Sequence, residues 1–206
     1  MRFTSKSISQ DQPIPKECAL GVRGPDGPEP GPNRSPHLAW SGAPATTKSY
    51  ALICVDIDAP AKADDANKAD RTIPADFPRA PFYHWVLADI PISRSELTEG
   101  VDATGLTVRG KEGGHTPHGE RGINSYTEWF KGDEQMNGTY AGYDGPWPPF
   151  NDERVHRYVF TLYALDVESL DLGKSFTGPD VLKAIDGHIL AEASITGTYT
   201  LNPSLV

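Results

Sequence analysis

Three runs along the chain, Tyr50 to Val55, Trp85 to Ile90 and Val159 to Leu165, are almost wholly apolar, aromatic or β-branched. Their length and composition predict buried strands. A fourth run, Ala193 to Leu201, alternates instead, with Ile195, Gly197, Tyr199 and Leu201 on one side, and predicts a strand near the end of the chain. One segment has the helical period. Val181, Leu182, Ile185 and Ile189 form a one-sided stripe, Pro179 suits the first helical position, and Asp180 complements the positive helix start, although Gly187 weakens the far end.

Polar groups gather where the strand-like runs begin or end. Asp56 and Asp58 follow the first run, His84 precedes the second, and His156 with Tyr158 precedes the third. Side chains two apart on a strand share a face, so Asp56 and Asp58 lie together if the strand continues, and so do His156 and Tyr158. Two pairs from separate strands can therefore line one cavity. Taken singly, each has a plainer reading, as a turn-capping carboxylate or a histidine at a sheet rim.

Between the strands lie three long irregular stretches. Asp11 to Pro36 is dense in proline, glycine and charge and reads as ordered coil leading into Leu38 to Trp40, not as a domain linker. Ala61 to Pro81 starts at the Asp56 to Pro60 corner, carries a charged segment and then prolines at 74, 78 and 81, and reads as a surface loop or a pocket rim. Gly110 to Gly142 holds Tyr126, Trp129, Phe130 and Tyr140. Aromatics in a loop need cover, from the sheets, a pocket or a partner subunit, in that order of expectation. His115 and His118 in this loop have a spacing compatible with metal ligation, but without a supporting helix or cysteine pair they read as flexible loop histidines. His188 reads as a surface or capping residue of the helix.

Composition narrows the class. A chain of 206 residues is near ordinary domain size, and its 20 glycines and 19 prolines exceed the roughly 12% of an average chain, favouring an all-β architecture rich in turns. The formal charge of -9 repels nucleic acid and anionic membrane surfaces, so any anion must be captured locally. Two cysteines, Cys18 and Cys54, give no disulfide framework, and Cys54 reads as a small core residue. No signal-peptide-like stretch opens the chain and no run of about 18 apolar residues occurs, which leads to the expectation of a cytoplasmic protein without stable membrane insertion.

The local sequence around the polar clusters carries a resemblance. Val55-Asp-Ile-Asp-Ala-Pro60, Tyr83-His-Trp-Val86, Gly142-Tyr-Asp-Gly-Pro-Trp-Pro-Pro149 and His156-Arg-Tyr158 occur in the order found in phosphatidylethanolamine-binding proteins. The chain resembles their bacterial, Raf kinase inhibitor-like branch most, and Ser35 to Trp40, Tyr163 to Asp166 and Ala191 to Tyr199 extend the likeness over nearly its whole length. One departure is the stretch Phe150 to Val155, where the family commonly has glycine and a slightly shorter spacer.

The resemblance implies one domain over residues 1–206, a sandwich of two antiparallel sheets with a short helix near the C-terminus and long rim loops. It implies a non-enzymatic protein without metal or cofactor that binds phosphate, a phosphomonoester or a headgroup such as phosphoethanolamine. Asp56, His84, His156, Tyr158, Gly145 and Pro146 are the expected ligand contacts; Asp58, Pro60, Tyr143, Pro148 and Pro149 are expected at the rim. The amides of the Gly142 to Gly145 turn are expected to add donors, Asp56 to orient and charge a histidine, Asp58 to set the strand corner, and Ala59-Pro60 to be a cis peptide. Anion affinity is expected to fall as pH rises through about 6 to 7. Two other uses of these residues stay open: a hydrolase or metal-dependent enzyme, and a kinase or protease inhibitor acting by direct contact. A homodimer would be one cover for the aromatic loop.

Overall fold

The structure is a computed structural model that describes residues 1–206. Its strands are β1 (Arg2–Thr4), β2 (Gln12–Pro13), β3 (Gly21–Gly24), β4 (Gly27–Pro30), β5 (Leu38–Ser41), β6 (Ser49–Asp56), β7 (Phe82–Pro91), β8 (Glu96–Leu97), β9 (Gly114–Thr116), β10 (Gly119–Arg121), β11 (His156–Leu165) and β12 (Ile189–Tyr199), with short helices α1 (Tyr126–Trp129) and α2 (Gly178–Ala184). The apolar runs read from the sequence are the cores of β6, β7 and β11. They sit at the centre of a seven-stranded sheet ordered β2-β12-β11-β6-β7-β10-β9. Every pairing in it is antiparallel except the short edge strand β2, which runs parallel to β12.

Both faces of this sheet are covered, which is why its central strands are apolar without clean alternation. On one face, Leu52, Leu87, Phe160 and Leu162 pack against Leu38, Trp40 and Leu97 from a three-stranded sheet ordered β1-β5-β8. This is the mainly β sandwich expected. On the other face, Ala51, Ile53, Val86 and Ala88 meet Phe176, Val181 and Ile185 around α2. The stripe residue Leu182 is exposed, and Ile189 belongs to β12. The helix is shorter than its apolar stripe because Gly187 adopts the left-handed conformation at φ +80° and turns the chain away. His188 therefore lies beyond it, with Nδ1 2.8 Å from Asp166 Oδ1.

The long irregular stretches are more ordered than their composition suggests. Residues 11–36 hold a one-turn 3-10 helix at Lys16–Cys18 and the β3–β4 ribbon. Within 110–142, the β9–β10 hairpin extends the main sheet from β7. Its two histidines differ: His118 is buried, with Nε2 3.0 Å from Asp102 Oδ1, whereas His115 is exposed, with Nδ1 2.7 Å from Glu120 Oε1. Tyr126 and Tyr140 pack with Leu20 as a small third core. All peptide bonds are trans, including Ala59-Pro60, so the expected cis corner is absent. No helix is long and apolar enough to cross a membrane.

At the start of α2, Thr177 and Asp180 form a capping box in which the Asp180 carboxylate accepts the Thr177 N–H at 2.8 Å and its hydroxyl at 2.6 Å. Replacing Asp180 with Ala should cost about 1 kcal/mol, read from urea unfolding, whereas Asp180→Asn should recover much of it because an acceptor remains.

Candidate functional site

The register of the central strands creates the site. Tyr158 on β11 pairs directly with Asp56 on β6, and His156 lies two residues before Tyr158 on the same face of β11. On β7 the pairing shifts between Cys54↔Trp85 and Val55↔Tyr83, leaving His84 as the extra residue of a β-bulge. The bulge aims its ring at Tyr158, at a centroid distance of 5.0 Å; His156 and Tyr158 lie 6.5 Å apart, nearly parallel. Four residues read from separate stretches of the sequence thus meet around one cavity of about 340 Å³.

His156 is clamped between two carboxylates. Its Nδ1 lies 2.6 Å from Asp56 Oδ2 and its Nε2 3.1 Å from Asp152 Oδ2. Ionised carboxylates only accept, so both ring nitrogens carry protons and the ring is an imidazolium. Burial works against that charge, but the hydrogen bonds and charges of Asp152 and Asp56 outweigh it and lift the pKa to about 9. Asp152 is in turn gripped by Arg79 through both oxygens, at 2.5 and 3.0 Å. Burial would raise the Asp152 pKa, yet hydrogen bonds from His156 and Arg79 hold it below the usual carboxylate range. The result is a buried row of alternating charge, Asp56, His156, Asp152, Arg79.

His84 is the opposite case. Its Nδ1 lies 2.8 Å from the Asp144 carbonyl, which can only accept, so Nδ1 carries the proton. Burial pushes its pKa down, against the raising influence of the Asp56 charge and the Asp144 hydrogen bond. The ring is neutral and Nε2 is left with a lone pair. Tyr158 presents a third kind of group. Its hydroxyl is buried without a hydrogen-bond partner, and burial together with the Asp56 charge holds its pKa well above 10.

The other expected contact and rim residues divide between the cavity and its surroundings. Asp58 does not share a face with Asp56, because β6 ends and the chain turns: the Asp58 N–H caps Asp56 Oδ1 at 2.8 Å, while its carboxylate binds Arg157 at 2.7 and 3.0 Å and Arg154 at 3.1 Å. Pro60, Pro148 and Pro149 do line the cavity; Gly145, Pro146 and Tyr143 do not. Tyr143 is a core residue whose hydroxyl donates to the Cys18 carbonyl at 2.6 Å. The turn amides are all engaged within the protein: Gly142 to the Gly122 carbonyl, Tyr143 to Asp102, Asp144 to the His84 carbonyl and Gly145 to Asn33 Oδ1. The glycine motif builds the wall behind His84 and offers a ligand no main-chain donor.

Several residues escaped sequence reading. Phe82 and Trp147 join Tyr126 and Trp129 as aromatic walls, with exposed Lys62 and Glu128 also lining the cavity. Asp152 and Arg79 lie in isolated β-bridges outside the strands and outside any periodic pattern. The departure over Phe150 to Val155 was the available signal, since it contains Asp152.

Two outcomes follow. A Cβ on Gly145 would sit 2.0 Å from the Cys18 carbonyl oxygen, so Gly145→Ala should destabilise the fold by several kcal/mol, about 3 or more, read from urea unfolding. His156 has a raised folded-state pKa, so its stabilisation is complete below its ordinary 6.5 and lost as pH rises through about 9. Unfolding free energy should fall by on the order of 3 kcal/mol between pH 6.5 and pH 9 to 10. His156→Gln should abolish that fall and be less stable at pH 7 by about 3 to 5 kcal/mol, because it leaves two buried carboxylates without the cation between them.

Comparison with known proteins places this arrangement. The chain is 38% identical over 169 residues to a UPF0098 protein of Methanothermobacter thermautotrophicus, covering 82% of this chain and 84% of that one. It is 30% identical over 200 residues to YbhB of Escherichia coli, covering 97% and 100%. Among solved structures, Escherichia coli YbcL, described as a member of the mammalian PEBP family, matches with a TM-score of 0.68 at 25% identity over 97% of each chain. CT736 of Chlamydia trachomatis, a PEBP homologue, matches with a TM-score of 0.63 at 28% identity over 96% and 95%. The family model described as phosphatidylethanolamine-binding protein matches residues 4–200, and this chain belongs to that family.

Proposed function

We propose that the cavity binds, without chemical turnover, the singly protonated head of a small phosphate monoester. The observation that carries this reading is the Tyr158 hydroxyl, buried in the cavity lining with no protein partner. A buried polar group without a partner is costly, and an oxyanion oxygen accepting from it would remove the cost. The remaining groups favour a ligand that brings a proton. His84 Nε2 is an acceptor, Asp56 is a carboxylate, and the only buried cation facing them, His156, has both donors committed to Asp56 and Asp152. A dianion would meet repulsion from Asp56, whereas a monoanion can accept from Tyr158 and donate to His84 or Asp56.

This revises the expected pH dependence. His156 stays charged until about pH 9 and burial lowers the His84 pKa, so above about pH 6 the titration that matters is the ligand's own second ionisation. The same geometry argues against a hydrolase in which His156 is the base, since neither ring nitrogen is free. His84 is in the form of a general base, so release of nitrophenol from an aryl phosphate at a rate above buffer would overturn the binding-only reading.

Calorimetric titration with methyl phosphate from pH 5 to pH 8 should show affinity falling towards tenfold per unit above about pH 6, while methyl sulfate, which carries no proton, binds weakly and evenly. Equal affinity for the two, or affinity rising with pH, overturns the proposal. Tyr158→Phe should weaken methyl phosphate by about tenfold or more while leaving unfolding stability unchanged or raised.

A further inference from the structure

A second cavity of about 390 Å³ adjoins the first and shares Tyr126, Trp129 and Trp147 with it. Its other walls come from the loops: Leu106, Phe130, Met136, Phe150 and the prolines of the β3–β4 ribbon, Pro28 and Pro30. Of these, Leu106, Phe130 and Met136, with Trp147, are the half-buried outer shell of the third core, packed on Leu20, Tyr126 and Tyr140. Trp129, common to both cavities, is itself exposed. A contiguous apolar surface of this kind, bordered by a polar pocket, has the character of a binding surface.

The polar groups at this second cavity are few and largely spent. Asn67 Oδ1 accepts the Phe150 N–H at 3.2 Å, the Tyr126 hydroxyl donates to the Gly145 carbonyl at 2.8 Å, and Asp133 Oδ1 accepts the Gln135 and Met136 N–H groups at 2.8 and 3.0 Å. Asp133 is the sole charged residue in the lining, and it is negative. A phosphate is therefore turned away from this cavity by charge and by the lack of donors. The first cavity also carries carboxylates, Asp56 and Glu128, but sets against them the His156 imidazolium, Lys62 and the unpartnered Tyr158 hydroxyl, a donor the second cavity lacks. The two halves sort a ligand by polarity, with the shared indoles as the divide.

We infer that the second cavity receives the apolar group of the same ligand, an alkyl chain or aromatic ring esterified to the phosphate held in the first, so that the protein recognises a compact amphiphilic monoester. This rests on the phosphate reading of the first cavity. Each cavity is at the small end of the range for sites taking a single small molecule, which fits one short tail or ring. Flat walls from Trp129, Trp147 and Phe130 suit either.

The test is a homologous series, ethyl, butyl and hexyl phosphate with phenyl phosphate, titrated by calorimetry below any micelle-forming concentration at pH 6. Affinity should rise roughly threefold to fourfold per added methylene, and phenyl phosphate should bind more tightly than ethyl phosphate. Leu106→Glu, which lies in the lining of the second cavity and not of the first, should flatten the series while leaving ethyl phosphate affinity within about twofold. Met136→Trp, which fills the cavity without adding charge, should shorten the length at which the gain stops. If ethyl phosphate itself fails to bind, the phosphate reading falls; if it binds but the series is flat in the unaltered protein, this inference alone falls. A gain that survives both substitutions places the tail elsewhere and also overturns it. So does a Leu106→Glu protein that changes from dimer to monomer in sedimentation, since the surface would then be covered by a second copy.

Discussion

An imidazolium held between two buried carboxylates organises the end of this sandwich where the cavity lies. Remove the proton from His156 and Asp56 faces Asp152 across a neutral ring, in a place where water cannot screen either charge. Keep the proton, and each carboxylate is free to use its remaining oxygen on structure: Asp56 caps the strand end through Asp58, and Asp152 receives Arg79 and the Arg154 amide. The charge thus fixes the corner after β6, the entry to β11 and the far end of the 61–81 segment together. It also offsets part of the Asp56 charge beside the cavity. A carboxylate there would otherwise make the site hostile to any anion.

The second organising choice is the tautomer of His84. The Asp144 carbonyl sets it, and Asp144 is held by Asn33, Asn124 and Lys111 on its carboxylate and by the His84 carbonyl on its amide. A histidine that is neutral by burial and another that is charged by pairing stand on either side of one phenol. Two residues of the same type thus supply an acceptor and a structural cation, a difference made entirely by their neighbours.

Much of this was legible in the chain. The strands were readable because β6 and β7 are buried on both faces, which writes itself as unbroken apolar runs, and because the half-buried face of β11 is still mostly apolar or β-branched. His156 and Tyr158 were placed on one face by simple alternation. The bulge that aims His84 has no sequence mark of its own, although the histidine at the strand start did. What the residues did not reveal was which groups they would meet. Gly145 does signal a close main-chain approach, and the Cys18 carbonyl is the group found against it. Asp58 sets the corner after Asp56 as expected, but nothing in its spacing names Arg157 as the group that holds it there. Asp152 and Arg79 sit outside the strands 73 residues apart, and no period connects them. The stripe of α2 overran because Ile189, at helical spacing, belongs to the next strand.

Asn151 gives the rim its character. Its side-chain amide donates to the carbonyls of Asp65, Lys68 and Arg71, its oxygen accepts the Asn67 N–H, and the next residue is the Asp152 that holds His156 and Arg79. Lifting the 61–81 segment like a flap would tear these bonds and strand the charge row at one stroke. The rim and the charge row beneath it are accordingly one construction, and the 61–81 segment is anchored at both its middle and its end.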